Sequence, residues 1–195
     1  MTAALSLPQR QDWTVDDLAS LPGDLLYELI DGRLILPSPT PIHQNLGVRV
    51  LLVLEAGCPP GLMVVTDLSL KVNSRNEPRP DVVVISVDHA NRSPVPVEDA
   101  VLAVEVISPE SHFRDMYAKA KVYAAAGIAH YWVIDPLYED GIVLSQFRPG
   151  ANGDYEMVGS TREVFTTDVP FPVKLDLPAL TAQRRLLLEG ARSQD

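Results

Sequence analysis

The amino-acid sequence predicts a mixed α/β domain in which a central β-sheet is flanked by helices. Residues 82–87 and 101–107 are continuous apolar runs rich in β-branched side chains, as in central strands covered on both faces. Residues 110–126 read as a helix stopped by Gly127, and another apolar run, 129–134, follows directly. Near the N-terminus, Asp31-Gly32 separates two short apolar runs, which favours a tight hairpin turn. The elements do not alternate as strict βαβ units, so a mixed sheet is expected rather than a doubly wound one.

In chain order, Thr14 caps a short helix over residues 14–21, which ends at Pro22-Gly23. Residues 25–30 and 34–36 form the hairpin arms. After a proline-rich break at 38–41, HQNLGVRVLLVLEAG (43–57) repeats Leu46, Val50, Val53 and Leu54 at helical spacing. Strands are expected at 62–66 and 68–72, then a polar loop at 73–79, with Pro80 delivering the chain into Asp81. Residues 88–98 are loop, while Ser108-Pro109 and Asp135-Pro136 end the two later buried strands. Residues 142–147 and 155–158, joined by PGANGDY, read as an edge hairpin, and 178–188 as a terminal helix. Flexibility is expected for 1–12 and for a frayed tail at 191–195.

A length of 195 residues without repeat, low-complexity tract or linker fits one domain spanning 1–195. The 17 prolines fall mostly between periodic segments and act as punctuation. A single cysteine, Cys58, excludes an internal disulfide and suits a reducing compartment. The N-terminal residues lack a charged segment followed by a long apolar one, and no apolar run spans a bilayer, so a cytoplasmic protein is expected. The formal net charge of −10 opposes bulk attraction to nucleic acid, which leaves a local basic patch or bridging metal ions as the route to it.

Two acids stand out. Asp81 opens one buried strand, and Glu105 lies within the next, on the face of Val101, Ala103 and Ile107 by simple alternation. An ionised group inside an apolar strand is costly unless it is paired or binds a cation. Neighbouring strands would bring the carboxylates together, and hard divalent cations such as magnesium need few protein oxygens. On the following helix Asp115, Lys119 and Tyr123 share a face by four-residue spacing, so Lys119 can reach the acids if that face packs on the sheet, while Lys121 points elsewhere. Read singly, Glu105 fits a buried acid paired with lysine, and Lys119 an exposed partner of Asp115. His89, His112 and His130 lack zinc-ligand spacing. Ser108-Pro109 lacks the Gly-x-Ser-x-Gly elbow of serine hydrolases, and Gly150-Ala151-Asn152-Gly153 reads as a turn, not a phosphate loop.

Taken in order, Pro80-Asp81, Glu105-Val106-Ile107-Ser108, Asp115, Lys119, Tyr123 and Gly127 resemble the PD-(D/E)XK restriction-endonuclease-like superfamily. The nearest branch is the Uma-type group of bacterial endonuclease-like proteins. YELIDG at 27–32, His43 after a Ser-Pro stretch and YWVIDP at 131–136 extend the resemblance over well over half of the chain. It implies a restriction-endonuclease-like mixed sheet flanked by helices and metal-dependent phosphodiester hydrolysis, with Mg2+ or Mn2+ as cofactor. It makes Asp81 and Glu105 the metal-binding acids and Lys119 the catalytic lysine. The superfamily usually places that lysine two residues after the second acid, where this chain has Ile107. Glu28 would be an additional acid and His43 a phosphate or water contact, although alone they read as a solvent-facing hairpin acid and a helix N-terminal histidine. Asp115 and Tyr123 complete the supporting set, and His130 stands where the branch commonly has Glu.

The leading expectation is a magnesium-dependent endonuclease acting on nucleic acid, DNA ahead of RNA, with a homodimer suited to duplex cutting. The alternative is a non-catalytic binding or assembly module on the same fold, which the acidic balance favours. A metal-dependent hydrolase of small phosphate esters is a third reading.

Overall fold

The computed structural model describes residues 10–192 apart from Asp24, Glu110, His112 and Phe113, with the backbone alone for Asp115 and Arg192. The chain begins with α1 (Val15–Leu18), then β1 (Glu28–Ile30) and β2 (Arg33–Ile35), α2 (Pro41–Gly57), β3 (Leu62–Thr66) and β4 (Leu70–Lys71). It continues through β5 (Val82–Ser86), β6 (Val95–Pro96) and β7 (Ala100–Val106) to a π-helical segment (Arg114–Lys119) that runs into α3 (Ala120–Ala125). The remainder is β8 (His130–Asp135), β9 (Val143–Pro149), β10 (Tyr155–Thr161), β11 (Val164–Thr167), β12 (Val173–Asp176) and α4 (Leu177–Arg192).

Six strands form the central sheet in the order β10-β9-β8-β7-β5-β3. It is mixed, because β7 and β8 are parallel while β3–β5, β5–β7, β8–β9 and β9–β10 are antiparallel. The continuous apolar runs are explained by cover on both faces. Val82, Val84, Val104, Trp132 and Ile134 pack with α2 residues Leu46, Val50 and Leu54 and with the β11–β12 hairpin. Val83, Ile85, Ala103, Tyr131 and Val133 pack on the other side with Ala120 and Tyr123 of α3. Trp132 meets Phe165 edge-on at 5.1 Å, whereas Tyr131 meets Tyr123 at 5.4 Å on the opposite face. Among the described residues no helix is long and apolar enough to cross a membrane.

Several sequence expectations are corrected. The 68–72 run forms only the two-residue β4, which pairs with β6 outside the main sheet. Val101 does not share the face of Glu105. The β5–β7 register steps from Val84↔Leu102 to Ile85↔Ala100, so Val101 is an extra residue and packs toward the α2 side. Of the helix expected from 110, Glu110, His112 and Phe113 lie outside the described residues, and the described stretch Arg114–Lys119 is π-helical, not α. The edge strands β9 and β10 extend beyond the expected ends. The β11–β12 hairpin lies in a proline-containing stretch to which the sequence assigns no element. Residues 1–9 and 193–195 lie outside the described residues, while Ala191 and Arg192 continue α4 rather than fraying.

The N-terminal hairpin is knitted to the 73–77 loop. Leu29 and Glu77 exchange backbone hydrogen bonds of 3.1 and 2.8 Å, and the Gly32 amide donates to the Arg75 carbonyl at 2.9 Å. Its turn needs left-handed backbone at Asp31 (φ 49°) and Gly32 (φ 77°), which glycine adopts without strain. An added Cβ at Gly32 would also collide with the Asp12 carboxylate and the Arg75 guanidinium, which would have to move. Gly32→Ala is expected to cost about 1–2 kcal/mol, read as a lower urea midpoint at unchanged slope. An unchanged midpoint would show that the turn is not held in this conformation.

Candidate active site

On β7, Val104 and Val106 turn toward α2, so Glu105 between them faces the α3 side, where it is 1% exposed. Lys119 ends the π-helical segment and Tyr123 lies one turn later in α3, both fully sequestered from solvent. The Lys119 ammonium donates to Glu105 at 3.0 Å (Oε1) and 2.9 Å (Oε2), to Glu28 Oε1 at 2.7 Å, and to the Arg79 carbonyl at 3.4 Å. Tyr123 adds a hydroxyl donated to Glu105 Oε1 at 2.8 Å. Burial, reinforced by the charges of Glu105 and Glu28, pushes the Tyr123 hydroxyl well above the usual phenol range, so it remains a donor. Glu28, on β1, is 4% exposed rather than solvent-facing, and the Arg114 Nε stands 3.7 Å from its Oε2. One ammonium thus holds two buried carboxylates, and removing it would strand both charges.

Asp81 sits just before β5, where its Oδ2 accepts the Val106 amide at 2.7 Å. His43 lies in the first turn of α2, behind Pro41 and the Thr40 cap, whose hydroxyl accepts the His43 amide at 3.3 Å. Its Nε2 is 2.8 Å from the Val106 carbonyl and 3.2 Å from Asp81 Oδ2. Both partners are acceptors, so Nε2 carries the proton. Burial alone would raise the Asp81 pKa, but the His43 hydrogen bond, the Lys119 charge and the Val106 amide outweigh it and hold the carboxyl below the usual range.

This depression has a consequence for acid stability. Because the folded carboxylate binds its proton less readily than the unfolded one, its stabilisation is complete above the ordinary aspartate pKa of 3.8 and is lost as pH falls through the folded value. Asp81→Asn is therefore expected to flatten the acid limb of the stability–pH curve, measured by thermal melts below about pH 5. An unaltered acid limb would contradict the Asp81 environment described.

A cavity of about 120 Å3 is lined by Glu28, His43, Asp81, Glu105 and Lys119 together with Arg79, Arg114 and residues 35–39. The structure brings together Glu28, His43, Asp81, Glu105 and Lys119 in that cavity, with Tyr123 behind Glu105. The side chain of Asp115 lies outside the described residues. Lys121 is exposed, as expected. Sequence reasoning missed Arg114 and Arg79. Arg79 directly precedes Pro80-Asp81, and its guanidinium reaches Asp67 Oδ1 at 2.9 Å, fixing the chain that leads into β5. Asp81 and Glu105 are the carboxylates that could hold a hard cation. Among the described residues no three Asp, Glu, His or Cys side chains are grouped as a ready metal cluster.

A central mixed sheet of six strands flanked by helices has the layout of the restriction-endonuclease-like class. The crystal structure of "a putative nuclease belonging to DUF820" from Anabaena variabilis ATCC 29413 has the same fold. It superposes with a TM-score of 0.69 at 18% identity, covering 88% of this chain and 98% of that one. The chain belongs to the Uma2 family, described as "Putative restriction endonuclease", which it matches over residues 15–182. No curated protein matches the chain.

Proposed function

We propose that the protein is a divalent-metal-dependent nuclease that hydrolyses phosphodiester bonds. The observation that carries this reading is the convergence of Asp81 and Glu105, from adjacent strands, with Lys119 in one cavity. The family's description as "Putative restriction endonuclease", and that of the Anabaena protein as "a putative nuclease", support it. Carboxylate oxygens are the donors that Mg2+ or Mn2+ prefers, and magnesium keeps several waters, so two protein acids are enough. When bound, the ion would lower the pKa of a coordinated water and stabilise charge on a phosphate oxygen.

The chain's own residues do the rest. Asp81 and Glu105 hold the cation. His43 and the Val106 amide fix Asp81 as a carboxylate, and Tyr123 fixes Glu105. Lys119, Arg79 and Arg114 supply positive charge in the cavity where a phosphate would enter. Nucleic acid is the substrate class, DNA ahead of RNA, and a homodimer would place two sites on a duplex. The net charge of −10 makes affinity depend on this local charge and on metal rather than on the overall field.

Incubation of the purified protein with DNA and RNA, with and without magnesium or manganese, tests the reading. Cleavage that requires the metal and disappears in Asp81→Asn and Glu105→Gln is expected. Cleavage that survives both substitutions would place the chemistry elsewhere.

A further inference from the structure

The placement of Lys119 bears on how the site is switched on. A lysine that orients a water or steadies a phosphate must present ammonium hydrogens to it. Here the ammonium donates to Glu28 and to both oxygens of Glu105, and it also approaches the Arg79 carbonyl, with its side chain 3% exposed. It stands against the carboxylate assigned to the metal and neutralises the charge that would attract one.

We propose that Lys119 is an internal cation that occupies the carboxylate centre until a divalent ion displaces it, so that metal entry and release of the catalytic ammonium are one event. This rests on the nuclease reading above and adds to it a competition between the protein's own charge and the metal. A +2 ion with carboxylate ligands outcompetes a +1 ammonium for Glu105 once its concentration is sufficient, and the ammonium then turns to the entering phosphate. Glu28 keeps Lys119 in the cavity during the exchange, because its 2.7 Å bond does not involve Glu105. The metal site is therefore weak by construction, and the lysine reaches its working position only when the ion is bound.

Two measurements on the full chain test this. The first is calorimetric titration of MnCl2 into wild type and Lys119→Met. Removing the competing charge is expected to tighten manganese binding by about tenfold or more. Equal or weaker binding by the variant, with wild type still binding, overturns the competition but leaves the nuclease reading intact. Absence of binding to either protein overturns the metal reading and this inference with it.

The second keeps wild type and does not depend on the variant folding. Of the chain's four lysines only Lys119 is buried; Lys71, Lys121 and Lys174 are exposed. In protein labelled with 15N at lysine, its ammonium should give the one slowly exchanging signal. Magnesium is expected to shift or abolish that signal, at concentrations tracking the calorimetric binding curve. A signal unchanged at saturating metal shows that Lys119 stays bound to Glu105 and overturns the proposal.

Discussion

Glu105→Gln is expected to lower metal-dependent hydrolysis of nucleic acid by about a thousandfold or more, while the protein remains folded. The amide keeps the side chain's size, and its oxygen can still accept from Tyr123 or Lys119, so the shape of the pocket survives. What is lost is the charge proposed to hold the cation, and nothing else on the same strand replaces it, since Val104 and Val106 face α2. Initial rates at saturating magnesium, set beside a circular-dichroism melt, separate lost chemistry from lost structure. A variant that retains most of the rate would remove Glu105 from the centre of the site.

Lys119→Met is expected to have the largest effect on stability, a loss of about 3–5 kcal/mol. The methionine fills nearly the same volume, but Glu28 and Glu105, 4% and 1% exposed, would be left without the ammonium they share. Breaking a buried ion pair costs more than the pair itself contributes, because the remaining charge cannot be rehydrated. Urea unfolding at neutral pH measures the loss, and adding Glu28→Gln to the same chain should recover part of it by removing one stranded charge. An unchanged midpoint for Lys119→Met would mean that the three groups are not held as described.

Much of the frame is legible in the sequence because it rests on local signals. Asp31-Gly32 encodes its own turn, and the β-branched runs at β5 and β7 announce strands covered on both faces. Asp81 and Glu105 could be singled out because an acid beside or within such a run is conspicuous. Other features depend on contacts distant in sequence. The burial of Glu28 follows from an ammonium 91 residues away, which no reading of a three-residue strand can supply. The displacement of Val101 comes from a register step against β5, visible only once the strands pair. Four-residue spacing grouped Lys119 with Tyr123 correctly, since both reach Glu105, but the π-helical segment that ends at Lys119 carries no comparable signal. The β11–β12 hairpin carries no comparable local signal, since Pro170 and Pro172 interrupt its stretch, although Phe165, Val173 and Leu175 anchor it on the α2 face.

The central claim is that the carboxylates of Asp81 and Glu105 form a metal site guarded by Lys119. Diffraction from crystals soaked in manganese, recorded with anomalous signal, tests it most directly. The expected result is one strong peak bound by Asp81 and Glu105, with the Lys119 ammonium withdrawn from Glu105. No peak at saturating manganese, or a peak held by other residues while Lys119 still bridges Glu28 and Glu105, would contradict the account.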